Sequence, residues 1–147
     1  MSETTTYDTV QYRRNEKVLE HLSKLACDIV SPVRNYRLAA GITLKNNLIS
    51  FGFASYKTDP FQARWAKNVY AIHLHAEVSA IKNALKRIST EHLSKSTLYV
   101  TRVRLYSDSP EDYDRAMSKP CIGCQRCIAE FGIKNVVFTT AQGHAYL

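Results

Sequence analysis

The chain has 147 residues, 45% of them hydrophobic and 22% charged, a balance that predicts one globular domain and excludes a disordered or low-complexity polymer. Its net charge is +7, from 20 Lys and Arg against 13 Asp and Glu, with no basic block; that suits anionic partners and equally suits plain solubility. No apolar run approaches the roughly 18–20 residues of a membrane span, and the polar opening MSETTTYDTVQYRRNEK has no apolar signal core, so the expectation is a cytoplasmic protein with no membrane partner.

Residues 1–14 are polar and are expected to be a flexible N-terminal segment ahead of a single domain over 15–147. Val18, Leu19, Leu22, Leu25, Ala26, Ile29 and Val30 recur at 3–4 spacing and predict a helix over 15–30, stopped by Ser31-Pro32. Two apolar runs, 38–44 and 48–54, flank Lys45-Asn46-Asn47 and predict a hairpin covered on both faces. The stretch 55–74 has no clear period, which is unusual in a compact domain and often functional. A second helix is predicted over 75–88, a third strand over 97–103, and a polar, acidic loop over 106–119. A helix over 120–131 follows, with Pro120 at its first position and Gly132 as its stop. A fourth strand is predicted over 135–140 and a short last one over 145–147. The order α-β-β-α-β-α-β favours an α/β layered domain with partly parallel strands.

Of four cysteines, Cys121, Cys124 and Cys127 fall within seven residues at C-x-x-C-x-x-C spacing, which reads as metal or redox chemistry before disulfides. Cys27 sits among Leu22, Leu25, Ala26, Ile29 and Val30 and reads as a small core hydrophobe. Cys121 and Cys124, at i and i+3, share one helical face at a helix start, where the dipole and free N–H groups favour thiolates. His75-Ala76-Glu77 opens the other helix, and both starts are expected to meet at the carboxyl ends of the sheet. Two sulfurs and an imidazole suit zinc. Three protein ligands leave the fourth tetrahedral position to water, the mark of a catalytic site. Glu77 can reach that water without binding the metal. Zinc lowers the water pKa to about 7, so a nearby carboxylate can take the proton and pass it on.

H-x-E followed by P-C-x-x-C is the signature of zinc deaminases. Through HAEVSAIKNAL and KPCIGCQRCIAEFGIKNVVFTT the chain resembles the cytidine deaminase-like superfamily, closest to deoxycytidylate (dCMP)-type members, phage-encoded ones included. The resemblance implies a three-layer α/β/α fold with a mixed sheet of four to five strands, one catalytic zinc per chain, and hydrolytic loss of ammonia from a nucleobase. It makes His75, Cys121 and Cys124 the zinc ligands. It makes Glu77 the catalytic proton shuttle while a zinc-bound hydroxide attacks C4 of cytosine. It also implies that the Ala76 backbone N–H holds the base carbonyl, and that the protein is a homo-oligomer. Where many members end the second strand with an Asn that contacts the sugar, this chain has Ser55. Because the sequence stops soon after the fourth predicted strand, the extra C-terminal helix and strand common in tRNA adenosine deaminases and larger deoxycytidylate deaminases are not expected here.

Other readings stay open on sequence alone. The zinc could be purely structural, with Glu77 an ordinary helix-start acid. Cys127 could close the site as a fourth ligand or pack in the core, and His73 competes with His75. Phe61, Trp65 and Tyr70, with Lys57, Arg64 and Lys67, could stack bases or anchor a loop to the core. Arg102 and Arg104 could meet a substrate phosphate or pair with the acidic loop. The 105–119 insertion could be a lid or a surface loop. Its Asp108, Glu111, Asp112 and Asp114 at a pocket mouth would repel a long polyanion and favour small substrates. The leading expectation is a deaminase of a small cytosine nucleotide such as dCMP. The alternatives are a deaminase of cytosine or adenine in tRNA or single-stranded nucleic acid, and a non-catalytic zinc-stabilised nucleic-acid binding module.

Overall fold

The apolar spacing of Val18, Leu19, Leu22, Leu25 and Ala26 does form a helix, α1, but it runs from Thr4 to Cys27. The computed structural model describes residues 4–29, 37–55, 57–65, 73–105 and 113–147, with only the backbone of 4–8. The stretch assigned to a flexible segment ending at residue 14 is therefore, from Thr4 on, continuous with the helix. Apolar periodicity misses this half because polar groups hold it: Tyr12 stacks on His144 at 4.4 Å, and Gln11 donates to Asn15 at 2.9 Å. The Ser31-Pro32 stop lies outside the described residues.

Strands β1 (Arg37–Leu44) and β2 (Asn47–Phe53) form the predicted hairpin. Lys45 and Asn46 both take positive φ, 52° and 66°, as a two-residue hairpin turn with matching twist requires. The expectation of double coverage holds for β1 only. β2 is a sheet edge, and Phe51 is 44% exposed there. The stretch expected to be irregular contains α2 (Pro60–Ala63), capped by Asp59, whose carboxylate accepts from the Phe61 and Gln62 N–H groups. Helix α3 (Ala76–Ala84) is shorter than predicted, and α4 (Thr90–Ser94) follows, capped by Ser89. Then come β3 (Thr97–Leu105), β4 (Tyr113–Ala116), α5 (Ile122–Glu130), β5 (Asn135–Thr140) and β6 (Gly143–Tyr146). Pro120 precedes the α5 N-cap, Cys121, instead of opening the helix.

The sheet order is β2-β1-β3-β5-β6, parallel between β3 and β5 and antiparallel elsewhere. It has six strands where four to five were expected. The extra one is β4, which pairs with β3 at 102–105, just past the 97–100 stretch that β5 occupies. Helix α1 covers one face through Leu19, Leu22 and Ala26, against Ala39, Tyr99, Val103 and Val137. Cys27 packs in this cluster as expected. The other face carries α3 and α5 through Val78, Ile81, Cys127 and Ile128, against Ile42 and Val100. This is the three-layer α/β/α arrangement. Gly52 lets α3 lie close: a Cβ there would sit 2.6 Å from the Ala80 nitrogen. No helix among the described residues is long and apolar enough to cross a membrane.

A polar cluster pins α1 to β4 and β6. Asn15 is fully buried; it donates to the Tyr146 hydroxyl at 2.6 Å and accepts from the Tyr99 hydroxyl at 2.9 Å. Glu16 meets Arg115 at 2.7 Å and His144 at 2.6 Å. Burial alone would raise the Glu16 carboxyl, but His144 and then Arg115 outweigh it and hold it below the ordinary 4.5. The folded state thus binds this proton less readily than the unfolded chain does. Its stabilisation is complete above pH 4.5 and is lost as pH falls through the lowered value. Comparing urea midpoints at neutral pH and at about pH 4, Glu16→Gln should narrow the gap seen in the wild type. An unchanged gap would remove Glu16 from the acid response.

Candidate metal centre

His75 is the N-cap of α3, with φ −86° and ψ 156°, and Cys121 is the N-cap of α5, with φ −69° and ψ 170°. Neither side chain caps its own helix. They converge instead: His75 Nδ1 lies 3.6 Å from Cys121 Sγ and 3.3 Å from Cys124 Sγ. The three donor atoms lie within 4.8 Å of one another, and among the described residues no other such group of His, Cys, Asp or Glu forms. Tetrahedral zinc, with bonds of about 2.3 Å to sulfur and about 2.0 Å to nitrogen, would separate its ligand atoms by roughly 3.5–3.8 Å. The donor set and its spacing therefore fit zinc with only small adjustments.

The electrostatics point the same way. The Cys124 thiol donates to Cys121, and this, helped by His75, holds the Cys121 thiol down to about 3 against the opposing effect of burial. Cys124, which keeps the shared proton and is buried, is pushed up. His75 is raised, first by its hydrogen bond to Cys121. His75 and Cys124 thus hold protons that a metal must displace, so metal binding weakens as pH falls.

Glu77 is the second residue of α3 and only 4% exposed. Burial raises its carboxyl above the ordinary value, with its own backbone N–H opposing. It lines a cavity of about 230 Å³ together with His75, Ala76 and Cys121. The remaining walls are Leu38, Ala54, Arg102, Met117, Ser118 and Lys119.

The sequence model for the cytidine and deoxycytidylate deaminase zinc-binding region matches residues 12–140. The chain belongs to this family of zinc-binding deaminases. Among solved structures it is similar to a cytidine deaminase from Burkholderia pseudomallei, with TM-score 0.59, 18% identity, and 89% of this chain and 90% of that one covered. It is also similar to the dCMP deaminase of the cyanophage S-TIM5 in apo form, with TM-score 0.54, 18% identity, and coverage of 95% and 86%. The same phage enzyme in complex with dCMP and dUMP matches with TM-score 0.51, 17% identity, and coverage of 94% and 82%. At these identities the likeness is one of fold. No curated protein sequence matches the chain.

His75, Cys121 and Cys124 form the candidate zinc site of this deaminase. Cys127 is not in the group. It is fully buried in the α3–α5 core, and burial pushes its thiol up to about 12. His73, the rival ligand, is an exposed residue bridged to Thr58.

The expected substrate contacts divide. Ala76 and Arg102 line the deaminase cavity. Ser55 does not: its hydroxyl accepts from the Lys57 N–H at 3.1 Å, and the neighbouring Ala54 takes the wall position. Arg104 does not either; it is exposed, and in register opposite Asp114 of β4. Of the insertion's four acids, Asp108, Glu111 and Asp112 lie outside the described residues. What the insertion does bring to the cavity is its last residues, Met117, Ser118 and Lys119. Ser118 ties them to the sheet, donating to the Val100 carbonyl at 2.8 Å and accepting from the Thr139 N–H at 2.8 Å. The sequence reading missed Leu38, Ala54, Met117, Ser118 and Lys119 as wall residues. A signal existed for the last three, which directly precede the Pro120-Cys121 motif. Phe61 and Trp65 are core anchors, with ring centroids 4.7 Å apart and Phe131 beside them. Lys67 and Tyr70 lie outside the described residues.

Proposed function

We propose that the protein is a zinc-dependent hydrolytic deaminase of a cytosine nucleotide of the dCMP type. His75, Cys121 and Cys124 hold the metal, and Glu77 carries protons. The observation that carries this reading is a buried carboxyl, raised by burial, in the same small cavity as two of the three metal-ligating groups. Zinc held there supplies a water acidic enough to lose its proton near neutral pH, at a pKa of about 7. Glu77 accepts the proton that the attacking water gives up and delivers a proton to N3 of the ring. It then takes the second proton, from the new hydroxyl on C4, and gives it to the amine, which leaves C4 as ammonia as the base becomes uracil. A raised carboxyl suits this work, because it must hold and release a proton within one turnover.

The cavity's other groups serve binding. Ala76 lies in the first turn of α3, whose backbone N–H groups have no partner within the helix, and it meets the base carbonyl. Leu38, Ala54 and Met117 offer apolar walls to the base. Arg102 and the exposed Lys119 are the cavity's cations and face the substrate phosphate. Ser55 and Arg104 have no part in this arrangement. The dCMP and dUMP held by the structurally similar phage enzyme agree with a mononucleotide substrate. Assembly as a homo-oligomer is carried over from the resemblance.

The +7 net charge favours a second reading, a deaminase of single-stranded nucleic acid or tRNA. Measuring kcat/KM at moderate salt for dCMP, deoxycytidine and a cytosine-containing oligonucleotide separates the two. The expected order puts dCMP first, with deoxycytidine slower by about 10-fold or more through loss of the phosphate contact. An oligonucleotide preferred about tenfold over dCMP would replace this reading with the second one.

A further inference from the structure

The short helix α2 does more than fill the stretch between β2 and α3. Gln62, in its middle, is a polar residue only 1% exposed, between Phe61 and Trp65 of the apolar core. Its Oε1 accepts the backbone N–H of His75 at 3.0 Å. That N–H belongs to an N-cap residue and has no acceptor within its own helix. Losing the bond would leave a part-buried donor without its acceptor at the residue whose imidazole must point at two thiols 3.3 and 3.6 Å away.

The helix carrying Gln62 is itself braced against both halves of the metal centre. At its start, Asp59 caps it and also meets Lys82 of α3 at 2.7 Å. Just past its end, Trp65 Nε1 donates to Glu130 of α5 at 2.5 Å, and Arg64 lies 4.8 Å over the Trp65 ring while pairing with Glu130 at 3.3 Å. One side of the centre comes from α3 through His75, the other from α5 through Cys121 and Cys124. Helix α2 touches each through a separate polar bond. The segment before His75 is held from the other side: Leu74 donates to the Lys57 carbonyl at 3.1 Å and its own carbonyl accepts from Ser55 at 2.9 Å.

We propose that Gln62 is a positioning residue for the zinc site: by holding the His75 backbone from a helix braced on both α3 and α5, it fixes the direction of the imidazole toward Cys121 and Cys124. The inference rests on the zinc reading above. Outer groups that orient a metal-bound histidine typically change affinity by about 10–100-fold when removed, which sets the size of effect to look for.

The test is cobalt and zinc titration of the full chain. Cobalt absorption bands report ligand geometry, and zinc affinity is read by competition with a chelator. Gln62→Met keeps the length and removes the acceptor. Gln62→Asn keeps the amide but draws it back by one methylene, and it decides the question if the Met variant does not fold. Val103→Ala, in the core on the opposite sheet face, controls for lost stability. Both Gln62 variants are expected to shift the cobalt bands, and Gln62→Met to weaken zinc about 10-fold or more. Val103→Ala should melt earlier yet keep wild-type bands and affinity. Wild-type bands together with affinity within about twofold in the Gln62 variants, or an equal loss in Val103→Ala, would overturn the proposal. A wild-type chain that binds neither metal would instead overturn the zinc reading.

Discussion

Glu77→Gln is expected to fold and to keep its zinc while losing turnover by about 10²–10⁴-fold or more. Glutamine has nearly the same shape, so the packing around a residue 4% exposed is preserved. What it lacks is a proton it can take and return, and the proposed reaction asks for that twice, once for N3 and once for the amine. The substitution should also raise the stability of the metal-free protein at neutral pH. Burial raises the Glu77 carboxyl, so the folded state holds this proton to higher pH than the unfolded chain. The cost to the fold is absent below the ordinary 4.5 and grows as pH rises toward the raised value. A neutral amide removes that cost, which is the pattern of an active-site group kept against stability. Steady-state kinetics, metal analysis and urea unfolding at two pH values check the three parts. A variant retaining more than about a tenth of wild-type turnover would contradict the role given to Glu77.

Cys124→Ser should strip the protein of zinc, whereas Cys127→Ala should not. The two residues lie one turn apart on α5 and are both fully buried, so burial alone cannot tell them apart. Geometry can: Cys124 Sγ lies 3.3 Å from His75 Nδ1, and Cys127 is absent from the converging group. A serine hydroxyl stays protonated near neutral pH and is a poor zinc ligand, so affinity should fall by at least about tenfold and activity with it. Cys127→Ala removes a sulfur from the core and should cost about 1 kcal/mol of stability with zinc content unchanged. Zinc per chain after dialysis reads both. Zinc retained by Cys124→Ser, or lost by Cys127→Ala, would redraw the ligand set.

The parts of this protein that show in its sequence are those made by short-range rules. Strand β5 falls at the predicted 135–140 because NVVFTT is β-branched and aromatic and is fenced by turns. Gly132 ends α5 at φ 70°, as a helix-stopping glycine should. The candidate metal group is legible because its three candidate ligands and one acid sit in two local patterns, each at a helix start. The parts that do not show depend on partners distant in sequence. The polar half of α1 is steadied by His144, more than a hundred residues away. Strand β4 is four mostly polar residues, YDRA, and exists because the far end of β3 has a free side once β5 has left it. Gln62 looks like any surface glutamine until the fold sets it beneath His75. Helix α2 is a different kind of miss: Asp59-Pro60 is a readable cap and first-position proline, hidden inside a stretch judged by apolar period alone.

The most direct test of the account follows ammonia release from dCMP by the purified chain, with zinc per chain measured in the same sample. The account predicts close to one zinc per chain and stoichiometric release of ammonia and dUMP. Activity should disappear on chelation, return on addition of zinc, and be absent from Glu77→Gln at equal zinc content. Ammonia release that persists in zinc-free protein, or zinc-loaded wild type that releases none from dCMP or from any other cytosine or adenine substrate, would contradict it.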